Sequence, residues 1–438
     1  MNKHDICKET NHKWIDKIPK HWKIKRLKYL TKLKKEYTDT GEEELLSVTE
    51  TRGIVKRKDL RENNETLSSS EDLVGYRLVE PGDLVNNIML VWKRGLGVSP
   101  YKGVVSPAYS VFSFNEECYS WYYNYLLRSE EYIAEFRKNS TGIIMSRLRL
   151  YDDSFGSVYA HCPPFKEQKI ISCYLDKKTS QIDSLVQKIK KKIKLLIEKK
   201  TSLINEVVTK GLNPNMKMKD SGVEWIGEMP SHWEESQSKF YIKLRHGYQF
   251  RDSDFTDEGI KIVKITQLDK GGFLNLSNCS TIDEQRLNNF KNIIIHENDI
   301  LMCLTGGTIG KIIKVGKVGE PLLQNYRVGH FSPIDEENMN DNYMFYLMSS
   351  EVIVGQIFYD VKETGQPNIG MEDISKMRIC VPPISEQQQI VSYLDEQTQL
   401  INKVISIEEK RIKLLKEYHQ SLISSAITGK IRISKDMI

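Results

Sequence analysis

The sequence predicts a mixed α/β (α+β) chain with an internal repeat. Two similar globular domains are separated by two long antiparallel helices that form a coiled coil with pseudo-twofold symmetry. Three observations predict this. A segment opening on Pro-Pro and free of proline and glycine for more than 40 residues occurs twice, as PPFKEQKIISCYLD from Pro163 and PPISEQQQIVSYLD from Pro382. Both segments carry apolar residues at steps of three and four. The stretches before them alternate β-branched runs, amphipathic runs and turn residues.

A length of 438 residues suits two to four domains. No run of about 18 apolar residues occurs, so no membrane span is predicted. The first residues, MNKHDICKET, lack the apolar region of a secretory signal. Seven scattered cysteines with no CxxC spacing argue against a zinc site or a disulfide framework and predict a reduced, cytoplasmic protein. The net charge of +5 is uneven: residues 1–40 and residues 166–200 each carry +7. Two basic stretches on a mildly acidic body point to a polyanion, and nucleic acid is the obvious one. A solvated helix face explains either stretch alone equally well.

At an offset of 219, residues 163–209 match 382–428 at about 20 of 47 positions. Upstream, WIDKIPKHW (Trp14–Trp22) answers WIGEMPSHW (Trp225–Trp233), and YLLRS at Tyr125 answers YLMSS at Tyr346. The period is too long for a solenoid, so one half is duplicated. The domains read as 1–162 and 213–381. The helices read as 163–212 and 382–430, and KGLNPNMKMKDSG (Lys210–Gly222) joins the halves.

Each element follows from its local pattern. The first long helix has a seam at Ile182, Val186, Ile189, Ile193, Leu196, Leu203 and Val207, with Lys200 filling one gap. The second repeats it at Ile401, Ile405, Ile412, Leu415, Leu422 and Ala426, interrupted at Glu408. Such a rod cannot bury its stripe alone, and its twin is the natural partner. IKIVKITQL, NIIIHENDIL and KIIKVGKV read as strands. YSWYYNYLLRSEEYIAEFRK and NYMFYLMSSEVIVGQIF each read as one amphipathic helix.

Catalytic signatures are missing. TGGTIGK (Thr305–Lys311) has the spacing GxxxGK followed by isoleucine, whereas a P-loop needs GxxxxGK[ST]. There is no HExxH, no metal-ligating cluster, no cofactor loop and no Asn-Pro-Pro-aromatic motif of an amino-methyltransferase. Glu198-Lys199-Lys200 resembles part of a nuclease element but lies inside the helical rod. His21 and His232 occupy matched places and read as parts of a structural corner rather than as catalysts. No metal and no cofactor are expected.

Several marks together resemble the specificity subunit of a type I restriction–modification system over nearly the whole chain. These are WIGEMPSHW after KDSGVE, the two PPxxEQ…YLD helices, the TGQPNIGMEDI approach to the second helix, and the ITGKI ending. The first half departs from the pattern, since its approach is TGIIMSRLRLYDDSF. The resemblance implies a non-catalytic subunit whose two domains each read half of a gapped site in double-stranded DNA. It implies helices that space the readers and dock two methyltransferase subunits, with restriction (motor-nuclease) subunits joining for cleavage. The seam residues would then serve pairing and docking.

Base edges and phosphates need donors on loops. Candidates in the first half are Lys93, Arg94, Ser146, Arg147 and Arg149. In the second half they are Thr305, Gly306, Gly307, Thr308, Lys311, Gln324, Asn325, Tyr326, Arg327, Gln366 and Asn368. Any one of them also reads as a solvated loop residue. Two alternatives to the type I reading remain at this point. One is the recognition subunit of a related bifunctional system with a single partner. The other is a coiled-coil scaffold that binds protein and no DNA.

Overall fold

The structure, a computed structural model, describes residues 7–12, 14–61, 73–144, 147–269, 274–364 and 368–438. It divides into two compact units, one of residues 1–190 with 409–438 and one of residues 191–408. Two long helices, Phe165–Lys210 and Ile384–Ile427, each contribute one part to each unit.

In the first unit a four-stranded antiparallel sheet has the order Thr31–Lys34, Tyr109–Phe114, Leu84–Asn87, Leu96–Val98. In the second unit the equivalent order is Ile242–His246, Val328–Pro333, Ile300–Cys303, Ile312–Lys314. The halves diverge beside this common sheet. The second unit adds another four-stranded sheet, in which Ile260–Val263 and Leu322–Gln324 run parallel. The first has instead the hairpin Leu46–Thr49/Gly53–Lys56 and the pair Arg77–Val79/Gly103–Val105.

Each predicted amphipathic helix is two. Ser120–Leu127 and Glu130–Lys138 are separated at Ser129, which has extended backbone. Asp341–Ser349 and Glu351–Thr364 are separated at Ser350, also extended. Each serine's carbonyl accepts the first bond of the following helix, from Ile133 N–H (2.9 Å) or Val354 N–H (3.0 Å), and hydrophobic periodicity does not register so short a break.

One corner is built twice. The strand before each Pro-Pro pairs with the strand after each His-Trp: Tyr159–Cys162 with Lys23–Arg26, and Arg378–Val381 with Glu234–Gln237. This pairing carries the glutamate of PPxxEQ to the tryptophan. Glu167 accepts from the Trp22 indole at 2.9 Å and lies 2.7 Å from His21 Nε2. Glu386 accepts from Trp233 at 2.9 Å and lies 2.6 Å from His232 Nε2. Gln168 and Gln387, both fully buried, bridge the backbone on either side. The expected corner is thus a hydrogen-bonded joint, with the indoles buried and the imidazoles toward solvent.

Within each unit, the C-terminal part of one long helix packs beside the N-terminal part of the other. In the first unit Ile182 and Val186 share a core with Leu422, Ala426 and Ile427. In the second, Lys192 pairs with Glu408 at 2.7 Å and Lys200 with Asn402 at 3.1 Å. Rising numbers on one helix meet falling numbers on the other, so the helices are antiparallel. Each long helix ends at a left-handed glycine, Gly211 (φ 72°) or Gly429 (φ 73°), as helix C-termini favour. These glycines lie against Trp233 and Trp22 respectively.

The seam residues named above are buried or half-buried in this pairing, Glu408 included. Their side chains are therefore committed to the helix pair.

Candidate nucleic-acid interface

In the second unit the strand Ile300–Cys303 delivers the loop from Leu304 to Lys311. Leu304 N–H donates to the Arg327 carbonyl (3.0 Å), and the Leu304 carbonyl accepts from Ile369 N–H (2.9 Å). Thr305 forms an antiparallel bridge with Asn368. Two non-local pairings thus bring three of the predicted segments together.

Gly307, Thr308, Arg327 and Asn368 are exposed, and Thr305, Gly306 and Tyr326 are half-buried. A Cβ added at Gly307 would meet nothing within 4 Å, leaving the backbone open to approach, while Gly306 has φ 78°. Arg327 Nε donates to the Tyr326 hydroxyl (2.7 Å), and its guanidinium lies 5.3 Å from that ring. The cation is held on an aromatic face with its remaining donors outward. Asn325 is buried, and its Oδ1 accepts from Arg327 N–H at 3.2 Å, so it shapes the turn.

Two predicted readers are occupied elsewhere. Gln324 is fully buried: its amide nitrogen donates to the Arg245 and Val328 carbonyls (2.9 and 2.7 Å) and its oxygen accepts from Arg245 Nε. It ties the two sheets together and has nothing to offer a base edge. Lys311 donates its ammonium to the Leu268 carbonyl. Gln366 and Ser146 lie outside the described residues.

The sequence reading missed Tyr248. It is 46% exposed, bridges to Asn325, and packs on Phe250 and Phe290 at 5.1 and 5.0 Å. The run HGYQFRD, with aromatic and polar residues following a glycine, carried a signal for it.

The first unit builds the same place with different side chains. Its strand Leu84–Asn87 leads to Ile88, whose carbonyl accepts from Leu150 N–H at 2.9 Å. Leu150 corresponds to Ile369, so Arg149 stands where Asn368 stands. Arg149 also pairs with Thr141 through two backbone bonds of 2.9 Å. Lys93, Arg147 and Arg149 are exposed. Lys93 lies over the Trp92 ring at 4.9 Å. Arg94 is left-handed (φ 64°), matching Gly310 (φ 78°), and pairs with Glu130.

Arg128 underlies this loop and faces no carboxylate among its hydrogen bonds. It donates to the carbonyls of Arg94 (3.1 Å), Leu96, Glu50 (3.0 Å) and Thr51 (3.2 Å). Burial, then the neighbouring Arg94 charge, pushes its pKa down to about 10. It still carries its charge at neutral pH and pins the loop that presents Lys93 and Arg94.

Among the described residues no group of three or more His, Cys, Asp or Glu could hold a metal ion, and no helix is long and apolar enough to cross a membrane.

Residues 230–417 match the family described as type I restriction modification DNA specificity domain. The chain is 27% identical over 357 residues to the MjaVIII specificity subunit of Methanocaldococcus jannaschii, covering 80% of each. It is 24% identical to the MjaIX specificity subunit of the same organism, over 98% of this chain and 97% of that one. Two solved structures share the fold. A chain from a study of complex assembly in the type I R-M system superposes with a TM-score of 0.62 at 14% identity, covering 94% of this chain and 99% of that one. The HsdS subunit from Thermoanaerobacter tengcongensis gives 0.53 at 14% identity, covering 97% and 100%.

Proposed function

We infer that this chain, a member of the type I restriction–modification specificity subunits, is the DNA-recognition subunit of such a system. Each unit reads one half of a gapped site in double-stranded DNA. The long helices set the gap. Two methyltransferase subunits and the restriction subunits bind this chain in the cytoplasm and carry out the chemistry.

One observation carries the reading: the same strand, the loop it delivers and the backbone bond from Leu150 to Ile88 or from Ile369 to Leu304 recur in both units with different exposed side chains. Cationic Lys93, Arg147 and Arg149 occupy one copy, and Thr308, Arg327 and Asn368 the other, beside the open backbone of Gly307. A constant frame with changed donors is what two different half-sites require. Arginine suits the paired acceptors of guanine and asparagine the acceptor–donor pair of adenine, while threonine hydroxyls and open glycine backbone suit phosphates.

Methylation mapping of DNA from cells carrying this chain and its methyltransferase tests the reading. The expected product is one bipartite motif with a fixed unread gap. Methylation of a continuous motif, or none that depends on this chain, would overturn it. Duplex binding should also weaken steeply with salt, which a protein-only scaffold would not show.

A further inference from the structure

The stretch after each corner tryptophan aligns without gaps at an offset of 211, residues 27–40 against 238–251. Four positions are identical: Lys28/Lys239, Lys32/Lys243, Leu33/Leu244 and Tyr37/Tyr248. The leucines pack on the two cores. The other three are exposed in both units, and each is a hydrogen-bond donor. Exposed lysines are the rule on any surface. Matched tyrosines 43% and 46% exposed ask for a reason.

Packing inside the chain does not explain the match, because the two rings have different neighbours. The Arg77 guanidinium lies over the Tyr37 ring, 5.3 Å from its centroid. Tyr248 instead packs on Phe250 and Phe290. What the two share is their place and a hydroxyl. Each follows the edge strand of its four-stranded sheet, Thr31–Lys34 or Ile242–His246. Each also bridges to the divergent part of its unit, Tyr37 to Arg77 and Tyr248 to Asn325. Neither hydroxyl has a hydrogen-bond partner among the described residues.

Both tyrosines stand beside candidate readers. Tyr248 N–H donates to the Gln324 carbonyl, and its own carbonyl accepts from Tyr326 N–H, each at 3.0 Å, next to Arg327. Gly247 permits this approach, since a Cβ there would fall 2.1 Å from the Gln324 carbonyl oxygen. In the first unit Arg77 donates to the carbonyls of Pro107 and Lys34, both at 3.2 Å. These bonds hold Tyr37 toward the end of the sheet where Tyr109 pairs with Asn87, and the Lys93–Arg94 loop departs from that end. Arg77 and Arg327 pair with no carboxylate among the described residues. Each tyrosine therefore has an uncompensated cation nearby, a setting that favours an anion. Two readers of different half-sites share one feature of their ligand, the sugar–phosphate backbone.

We propose that Tyr37 and Tyr248 donate their hydroxyls to DNA phosphates, one beside each half-site, and set each unit's register on the duplex without reading sequence. Side chains that read bases must differ between the units, whereas the one that seats the backbone need not. This deepens the proposed function and rests on it.

The full chain, assembled with its methyltransferase subunit, is titrated against a synthetic duplex carrying the motif found by methylation mapping. Tyr37→Phe, Tyr248→Phe and the double variant keep both rings and lose only the hydroxyls. An unchanged melting temperature checks the fold. Each single variant should bind roughly tenfold more weakly, as loss of a hydrogen bond to a charged group predicts. The double variant should bind roughly a hundredfold more weakly if the sites are independent. The methylated motif should stay the same, and the salt dependence should keep its slope, because a neutral donor releases no counterion. Single phosphates are then replaced, one at a time, by uncharged methylphosphonate. At one phosphate beside each half-site the replacement should weaken wild-type binding and leave the matching variant unaffected. Unchanged affinity in the double variant, a changed motif in either single variant, or phosphate sensitivities that no variant alters would each overturn the proposal. A wild-type complex that binds no duplex would overturn the proposed function instead.

Discussion

Glu167 accepts a hydrogen bond from the indole of Trp22 at 2.9 Å, across 145 positions of the chain. The same bond joins Trp233 to Glu386. These bonds fix the first turn of each long helix to the strand that begins each domain. Glu167→Ala leaves a nearly fully buried indole without this acceptor. The expected cost is about 1–3 kcal/mol, with Glu386→Ala costing the same. Denaturant unfolding checks both, and a loss from one joint only would mean the corners are not equivalent.

His161 makes the first unit sensitive to acid. Its Nδ1 lies 2.8 Å from the Tyr132 hydroxyl, and burial pushes its pKa down to about 4, against about 6.5 when unfolded. The unfolded chain binds the proton first. Stability present above pH 6.5 is therefore lost as the pH falls toward 4, by up to roughly 3 kcal/mol. The equivalent position in the second unit is Cys380, which is also buried. His161→Cys should flatten the dependence of melting temperature on pH between 6.5 and 4. An unchanged slope would place the acid-sensitive group elsewhere.

The sequence showed the duplication, the seam and the matched His-Trp boxes, because these are local patterns or direct repeats. It did not show which loops meet. Leu304 finds Ile369, and Ile88 finds Leu150, through strand-like bonds between residues more than 60 apart, and composition carries no trace of such a pairing. Polarity also misled at Gln324: a glutamine inside a sheet looks like a reader until the carbonyls around it are seen.

On the proposed function, Arg128 and Arg327 act on different half-sites. Arg128→Lys keeps a charge but cannot reach four carbonyls, so the Lys93–Arg94 loop should loosen and reading of the first half-site should relax. Arg327→Ala should relax the second, by about 1–3 kcal/mol of discrimination if it contacts a base. Methylation mapping of each variant checks this, and the untouched half-site serves as the internal control. If both half-sites relaxed in either variant, the readers would not be independent.

Adding one heptad at matched positions of both long helices lengthens each by about 10 Å at 1.5 Å per residue. One turn of B-DNA takes about 34 Å for 10 base pairs. The unread gap should grow by up to roughly three pairs while both half-sites keep their sequences. An active, assembled variant with an unchanged gap would remove the helices as the ruler.

The most direct test of the central claim replaces residues 24–160 with the corresponding domain of another specificity subunit and maps methylation in cells. This segment holds every described candidate reader of the first unit and leaves both corner tryptophans, both long helices and the second unit intact. The account predicts a hybrid motif, with one half-site changed to that of the donor and the other half-site and the gap unaltered. A motif changed in both half-sites, or in neither, would contradict it.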